Sequence, residues 1–130
     1  MIEVDIVTPT RKLIEGAKVA SLRMPGANGE MLILPGHTEM LTLLGTGVLS
    51  LTQDGAERKF AISYGFAEIR NDKVLVLAET CEEGKDIDVN RAKKAQKEAE
   101  EILSAVLTRE DFRKYELKVQ RSLVRQQAGM

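Results

Sequence analysis

Between residues 88 and 127 the chain contains neither glycine nor proline, whereas eight of its ten glycines and all three prolines lie before Cys81. Glycine and proline punctuate turns and strand ends, while a long stretch without them can run as uninterrupted helix. The chain therefore reads as two parts built on different backbone patterns. In residues 1–81 the apolar residues come in short runs. Ile2, Val4 and Ile6 alternate with Glu3 and Asp5, as in a half-buried strand. Residues 19–24 and 31–34 flank Ala27-Asn28-Gly29, residues 48–52 and 58–63 flank Asp54-Gly55, and residues 67–70 and 73–78 flank Asn71-Asp72. Such dipeptides are hairpin turn signals, and strands at this spacing predict an antiparallel β-sandwich or flattened barrel. No strand–helix–strand rhythm is present, so a parallel nucleotide-binding sheet is not expected.

Residues 88–130 are rich in Ala, Glu, Lys, Arg, Leu and Gln, all good helix formers. Asp86 or Asp88 can cap a first helix, with an apolar seam at Ala92, Ala95, Ala99, Leu103 and Val106. Thr108 can cap a second helix, with Glu110 and Asp111 in its first turn and a seam of Phe112, Tyr115, Val119, Ser122 and Leu123. The break at Leu107-Thr108 predicts an antiparallel two-helix hairpin, with residues 82–87 as hinge. Alanine buries little area, at about 25 cal/mol per Å², so the hairpin should be marginal alone and need a docking surface. A marginal appendage on a firm sandwich is suited to movement.

Charge narrows the function classes. Nineteen Lys and Arg against twenty Asp and Glu leave a formal charge of −1, which argues against nucleic-acid binding and against a polybasic membrane surface. No apolar run approaches the ~20 residues that cross a bilayer, so direct bilayer insertion is not expected. Met1-Ile2-Glu3-Val4-Asp5 lacks the pattern of a signal peptide, and the expectation is a soluble, cytosol-facing protein. His37 and Cys81 are single residues, so no metal site is expected and Cys81 reads as a small core hydrophobe. Glu82-Glu83 and Glu100-Glu101 read as solvated charge; a small hydrolase using paired carboxylates is the weaker alternative. No catalytic residue is assigned.

Several segments in order carry a family likeness. The run Gly29-Glu30-Met31-Leu32-Ile33-Leu34-Pro35-Gly36-His37, then Tyr64-Gly65-Phe66-Ala67-Glu68-Ile69, Val74-Leu75-Val76-Leu77-Ala78-Glu79 and Asp86-Ile87-Asp88-Val89-Asn90-Arg91-Ala92, resembles the epsilon subunit of F-type ATP synthases across nearly the whole chain. The resemblance implies a non-catalytic rotor subunit on the cytoplasmic face of the bacterial inner membrane, in a proton-translocating complex. It implies a sandwich at residues 1–81 that binds the gamma subunit and the c-subunit ring, with Glu30 toward the ring and His37 near the gamma-facing side. It also implies a mobile hairpin that blocks ATP hydrolysis when extended against the beta and alpha subunits, through Arg113, Lys114, Lys118, Arg121 and Arg125. The bland alternative for these basic residues is an ordinary solvated helix face.

With Thr108 as the turn, Arg91 lies as far before it as Arg125 lies after it, so the two should stand at one height. Arg121 is one turn from Arg125 on the same face, and three guanidinium groups should gather near Asp88. Such a cluster favours an anion. By resemblance to nucleotide-binding members of the family, the positions of a regulatory ATP site are Glu82, Ile87, Asp88, Arg91, Ala92, Arg121 and Arg125, with a departure at Glu98, where such members can carry another arginine. The alternative is surface charge with an Asp88–Arg91 pair worth ~0–1 kcal/mol. A free-standing nucleotide-sensing module is the rival from a different functional class.

Overall fold

The computed structural model describes residues 1–103 and 109–129, the side chains of residues 103 and 109–112 excepted. Eight strands come first: β1 (Ile2–Val7), β2 (Lys12–Val19), β3 (Ser21–Gly26), β4 (Gly29–Ile33), β5 (Met40–Leu44), β6 (Gly47–Gln53), β7 (Ala56–Arg70) and β8 (Lys73–Glu83). A short turn of 3₁₀ helix at Gly84–Asp86 leads to α1 (Val89–Leu103) and α2 (Arg109–Gly129). The three turn signals form the β3–β4, β6–β7 and β7–β8 hairpins. All described strand pairs are antiparallel except β1 against β8, which run parallel. Strands β2 and β5 had no clear sequence signal, and the runs at 58–63 and 67–70 are one strand of 15 residues.

That strand organises the sandwich. Its first half pairs with β6 and its second half with β5, while β8 accompanies it along the other edge. At Tyr64 and Gly65 the backbone takes φ +52° and +151°. The inward set changes parity there in both strands. Phe60, Ile62 and Cys81 face the core on one side of the bend, and Ala67, Ile69, Val74, Val76 and Ala78 on the other. The register of β7 against β8 is unbroken across the bend, so both strands turn together. Around them, Ile2, Val4, Ile6, Leu22, Met24, Ile33, Leu49 and Leu51 complete one apolar core.

Residues 60–63 are buried without alternation because this stretch is covered twice. Phe60 and Ile62 meet the core, while Ala61 and Ser63 meet α2. Asp88 caps α1, its Oδ1 accepting from the Arg91 backbone N–H at 3.0 Å. The α1–α2 seam is thin, as the alanines predicted. Ala92, Ala99, Ser122 and Ala128 are buried. Ala95 is exposed, and Leu123 faces outward while Val124 packs with Ala61, Ile87 and Ala128. Small Ser122 and Ala128 allow close helix contact, and Leu123 falls on the opposite face. The expected seam positions Leu103, Val106 and Phe112, the break at Leu107-Thr108, the Thr108 cap and first-turn Glu110 and Asp111 lie outside the described residues or side chains.

Candidate functional site

Strand alternation sends adjacent side chains to opposite faces, and it divides Glu82 from Glu83 at the end of β8. Glu83 is buried and paired with Arg58, whose Nε donates to Glu83 Oε1 at 2.8 Å and whose Nη2 meets the same oxygen. Lys85 approaches the other oxygen at 3.2 Å. Burial pushes the Glu83 carboxyl up, but hydrogen bonds and charge from Arg58 and Lys85 outweigh it and hold it below the ordinary value of 4.5. A depressed carboxyl contributes stability above its unfolded value, and that contribution is lost as pH falls through the folded value. Glu83→Gln is therefore expected to cost about 1–3 kcal/mol at neutral pH. The gap between variant and wild type should narrow in urea unfolding as the pH is lowered below 4.5. This pair fixes the base of the hinge to the sandwich.

Glu82 faces the other way and receives α2. Arg125 Nη2 donates to Glu82 Oε2 at 3.0 Å, and Arg121 Nε donates to Ser63 Oγ at 3.0 Å. Gln126 donates to Gln96 at 2.6 Å, tying α2 to α1. Between the helices and β7–β8 lies a cleft of about 430 Å³ lined by Arg121, Arg125, Lys118, Glu82 and Glu98, with apolar walls that include Ala95, Ala99 and Ile102. The Arg125 Nε is buried there without a hydrogen-bond partner among the described residues. At the hinge, α2 approaches so closely that a Cβ on Gly84 would stand 2.2 Å from the Ala128 carbonyl oxygen.

The predicted site residues divide between these places. Ile87 and Ala92 are buried under the helical pair, and Arg121 and Arg125 share the cleft with Glu82. Arg91 is exposed on the first turn of α1 and does not line the cleft. Arg121 and Arg125 therefore share the cleft without Arg91. The Gln96–Gln126 bond ties the two helices, and the first turn of α1 meets the end of α2, where a Cβ on Gly129 would stand 2.6 Å from Val89 Cγ2. Arg113, Lys114 and Lys118 are exposed, and Lys118 Nζ lies 4.9 Å from the Tyr115 ring centre. Ser63 and Gly84 belong to the docked interface and were not legible beforehand; a lone serine in a strand carries no signal of a partner.

A second surface lies on the sandwich. In register, Leu43 stands opposite Phe66, Phe66 opposite Leu77, and Leu77 opposite Val7, an apolar row across four strands. The neighbouring row runs Leu41, Glu68, Leu75 and Asp5. Leu41 and Leu43 are 70% and 66% exposed, and Phe66 is 42% exposed. Contiguous apolar side chains left this open mark a surface that another molecule covers. Leu32 and Leu34 are exposed on the β4 side, where Glu30 pairs with Arg23 at 3.2 Å. His37 ends the Leu34–Pro35–Gly36–His37 turn, its Nδ1 at 2.7 Å from the Thr38 carbonyl. Cys81 sits in the core, where burial pushes its thiol up to about 12, and nucleophilic chemistry is closed to it.

Known proteins show the same two-part plan. Residues 1–84 match the family described as "ATP synthase, Delta/Epsilon chain, beta-sandwich domain", and residues 85–129 match "ATP synthase, Delta/Epsilon chain, long alpha-helix domain". The chain belongs to the ATP synthase delta/epsilon family. Among relatives in that family, the ATP synthase epsilon chain of Geotalea daltonii is 43% identical over 130 residues, covering 98% of this chain and 93% of its own length. That of Geobacter sulfurreducens is 38% identical over 129 residues, with 98% and 93% covered. The fold recurs in a chain of the Euglena gracilis mitochondrial ATP synthase (OSCP/F1/c-ring) at TM-score 0.82 and 23% identity, covering 94% of this chain and 78% of that one. It recurs in the Tetrahymena thermophila central stalk/c-ring structure at TM-score 0.67 and 14% identity, with 99% and 96% covered.

Proposed function

We propose that the chain is a non-catalytic rotor subunit in the central stalk of a proton-translocating ATP synthase, peripheral on the cytoplasmic face of the bacterial inner membrane. Its sandwich joins the gamma subunit to the c-subunit ring. The apolar row through Leu43, Phe66 and Leu77 serves the gamma contact, with Glu30 toward the ring and His37 near the gamma-facing side. Its helical pair restrains ATP hydrolysis by leaving the sandwich and extending against the beta and alpha subunits. The observation that carries this reading is the mode of docking: a seam of Ala and Ser, with Arg121 on Ser63 and Arg125 on Glu82. Contacts of this kind contribute about 0.5–1.5 kcal/mol each, small enough to be exchanged for a competing partner.

Arg121 and Arg125 are occupied in the docked form, while Arg113 and Lys114 are exposed and Lys118 is exposed at the mouth of the cleft. Extension adds the two arginines to that basic face and offers it to an acidic segment of the beta subunit. ATP is the proposed regulatory ligand of the docked form, with Arg121 and Arg125 toward its phosphates and Ile87, Asp88, Arg91 and Ala92 at the helix start. Glu98 lines the same cleft and weakens phosphate contact. A ligand held only by the docked form draws the population toward it. Reconstitution tests the brake. Arg121→Glu with Arg125→Glu should raise ATP hydrolysis several-fold, to the level seen with a chain truncated before residue 88. Hydrolysis unchanged by the pair would remove the role. Calorimetry of the isolated chain tests the ligand, and no heat at millimolar ATP would contradict it.

A further inference from the structure

Asp72 joins two loops that are distant in sequence. It lies in the β7–β8 turn, where Asn71 and Asp72 take φ +50° and +57°. Its Oδ1 accepts from the Gly36 backbone N–H at 2.7 Å. Gly36 is the third residue of a four-residue turn, with Pro35 before it, φ +85° at Gly36 and the His37 N–H donating to the Leu34 carbonyl at 3.2 Å. Those are the features of a type II turn. The closing bond of such a turn uses the N–H of its fourth residue, His37, and leaves the N–H of the third without a turn partner. Asp72 supplies the acceptor for it. A looser contact runs beside it, Arg70 to Glu39 at 4.0 Å. The Asp72 carbonyl also accepts from Glu3 at 2.9 Å, so the residue is anchored to β1 as well.

We infer that Asp72 is a positioning residue that holds the Leu34–His37 turn in its docking-ready shape. The turn presents His37 beside exposed Leu34, at the end of the sandwich assigned above to the c ring and gamma, and the inference rests on that reading. An ordered turn spares the complex the entropy of freezing it on contact. Two substitutions separate the hydrogen bond from the backbone. Asp72→Asn retains an oxygen acceptor and tolerates positive φ, while Asp72→Gly retains positive φ and removes the acceptor.

The experiment uses the full chain, measuring amide exchange at Gly36 by NMR and association with ATP synthase depleted of this subunit. Asp72→Gly should speed Gly36 exchange about tenfold and weaken association roughly three- to tenfold, with an unchanged melting temperature. Asp72→Asn should match wild type in both. Wild-type exchange at Gly36 in the glycine variant would overturn the inference, as would faster exchange with undiminished association. A wild-type chain that fails to bind the depleted complex would instead sink the rotor assignment, and the exchange measurement would still decide whether Asp72 holds the turn.

Discussion

Gly84→Ala is expected to lift the helical pair from the sandwich and to deepen inhibition of ATP hydrolysis in the assembled enzyme. A Cβ at this position meets the Ala128 carbonyl oxygen at 2.2 Å and its carbon at 3.1 Å. Both are backbone atoms of α2 and cannot swing aside like the tip of a long side chain. Gly84 is not among the positive-φ residues, so alanine suits the local backbone, and the sandwich meets only a milder contact, at 3.2 Å from the Lys59 carbonyl oxygen of β7. The severe clash, at 2.2 Å, falls on the docked form. Overpacking of this kind costs about 1–3 kcal/mol, or roughly five- to 150-fold in the ratio of docked to released chains. A distance probe between β7 and α2 should report the release in the isolated chain. Arg121 and Arg125 remain intact in this variant, so hydrolysis should fall, opposite in sign to the effect of reversing them. Release without deeper inhibition would separate the hinge from the brake, and a helical pair still docked would contradict the steric reading of Gly84.

Gly65→Ala should be the most damaging single change in the sandwich. Its φ of +151° is disfavoured for any residue with a side chain, and the added carbon would stand 1.9 Å from the Leu77 carbonyl oxygen and 2.9 Å from the Ala78 Cα. Gly65 pairs with Ala78 in the ladder, so relief requires parting β7 from β8 at the bend where both strands change their inward face. Backbone strain and overpacking together cost about 3–5 kcal/mol. That is a large share of the 5–15 kcal/mol typical of a whole domain. Thermal unfolding should show a midpoint lower by about 10–20 °C, or no folded material at all. A midpoint within a few degrees of wild type would show that the bend tolerates a Cβ.

Local chemistry made much of this fold legible. Asn28-Gly29, Asp54-Gly55 and Asn71-Asp72 announced three hairpins because such residues tolerate the positive φ these turns require. The Gly- and Pro-free tail announced helices because nothing in it interrupts them. Strand β2 escaped notice since its pattern is broken at Gly16, whose N–H is held by Asp5 Oδ1 at 2.7 Å, a contact eleven residues away. Strand β5 escaped because four of its five residues are apolar and show no alternation, with Leu44 in the core and Leu41 and Leu43 in the exposed rows. How the two helices meet was not legible, because it is tertiary bonds such as Gln126 to Gln96 that relate them. Ser63 became part of the candidate site only through its tertiary contact with Arg121.

Native-state amide exchange on the isolated wild-type chain measures most directly whether a firm body carries a loosely held helical pair. Amides of α2 across residues 113–125 should open at least about 3 kcal/mol more easily than those of β1 and β8, and as a separate cooperative unit. Equal protection of helices and core strands, lost in one global step, would mean that the helical pair is an integral part of the fold and cannot act as a releasable brake.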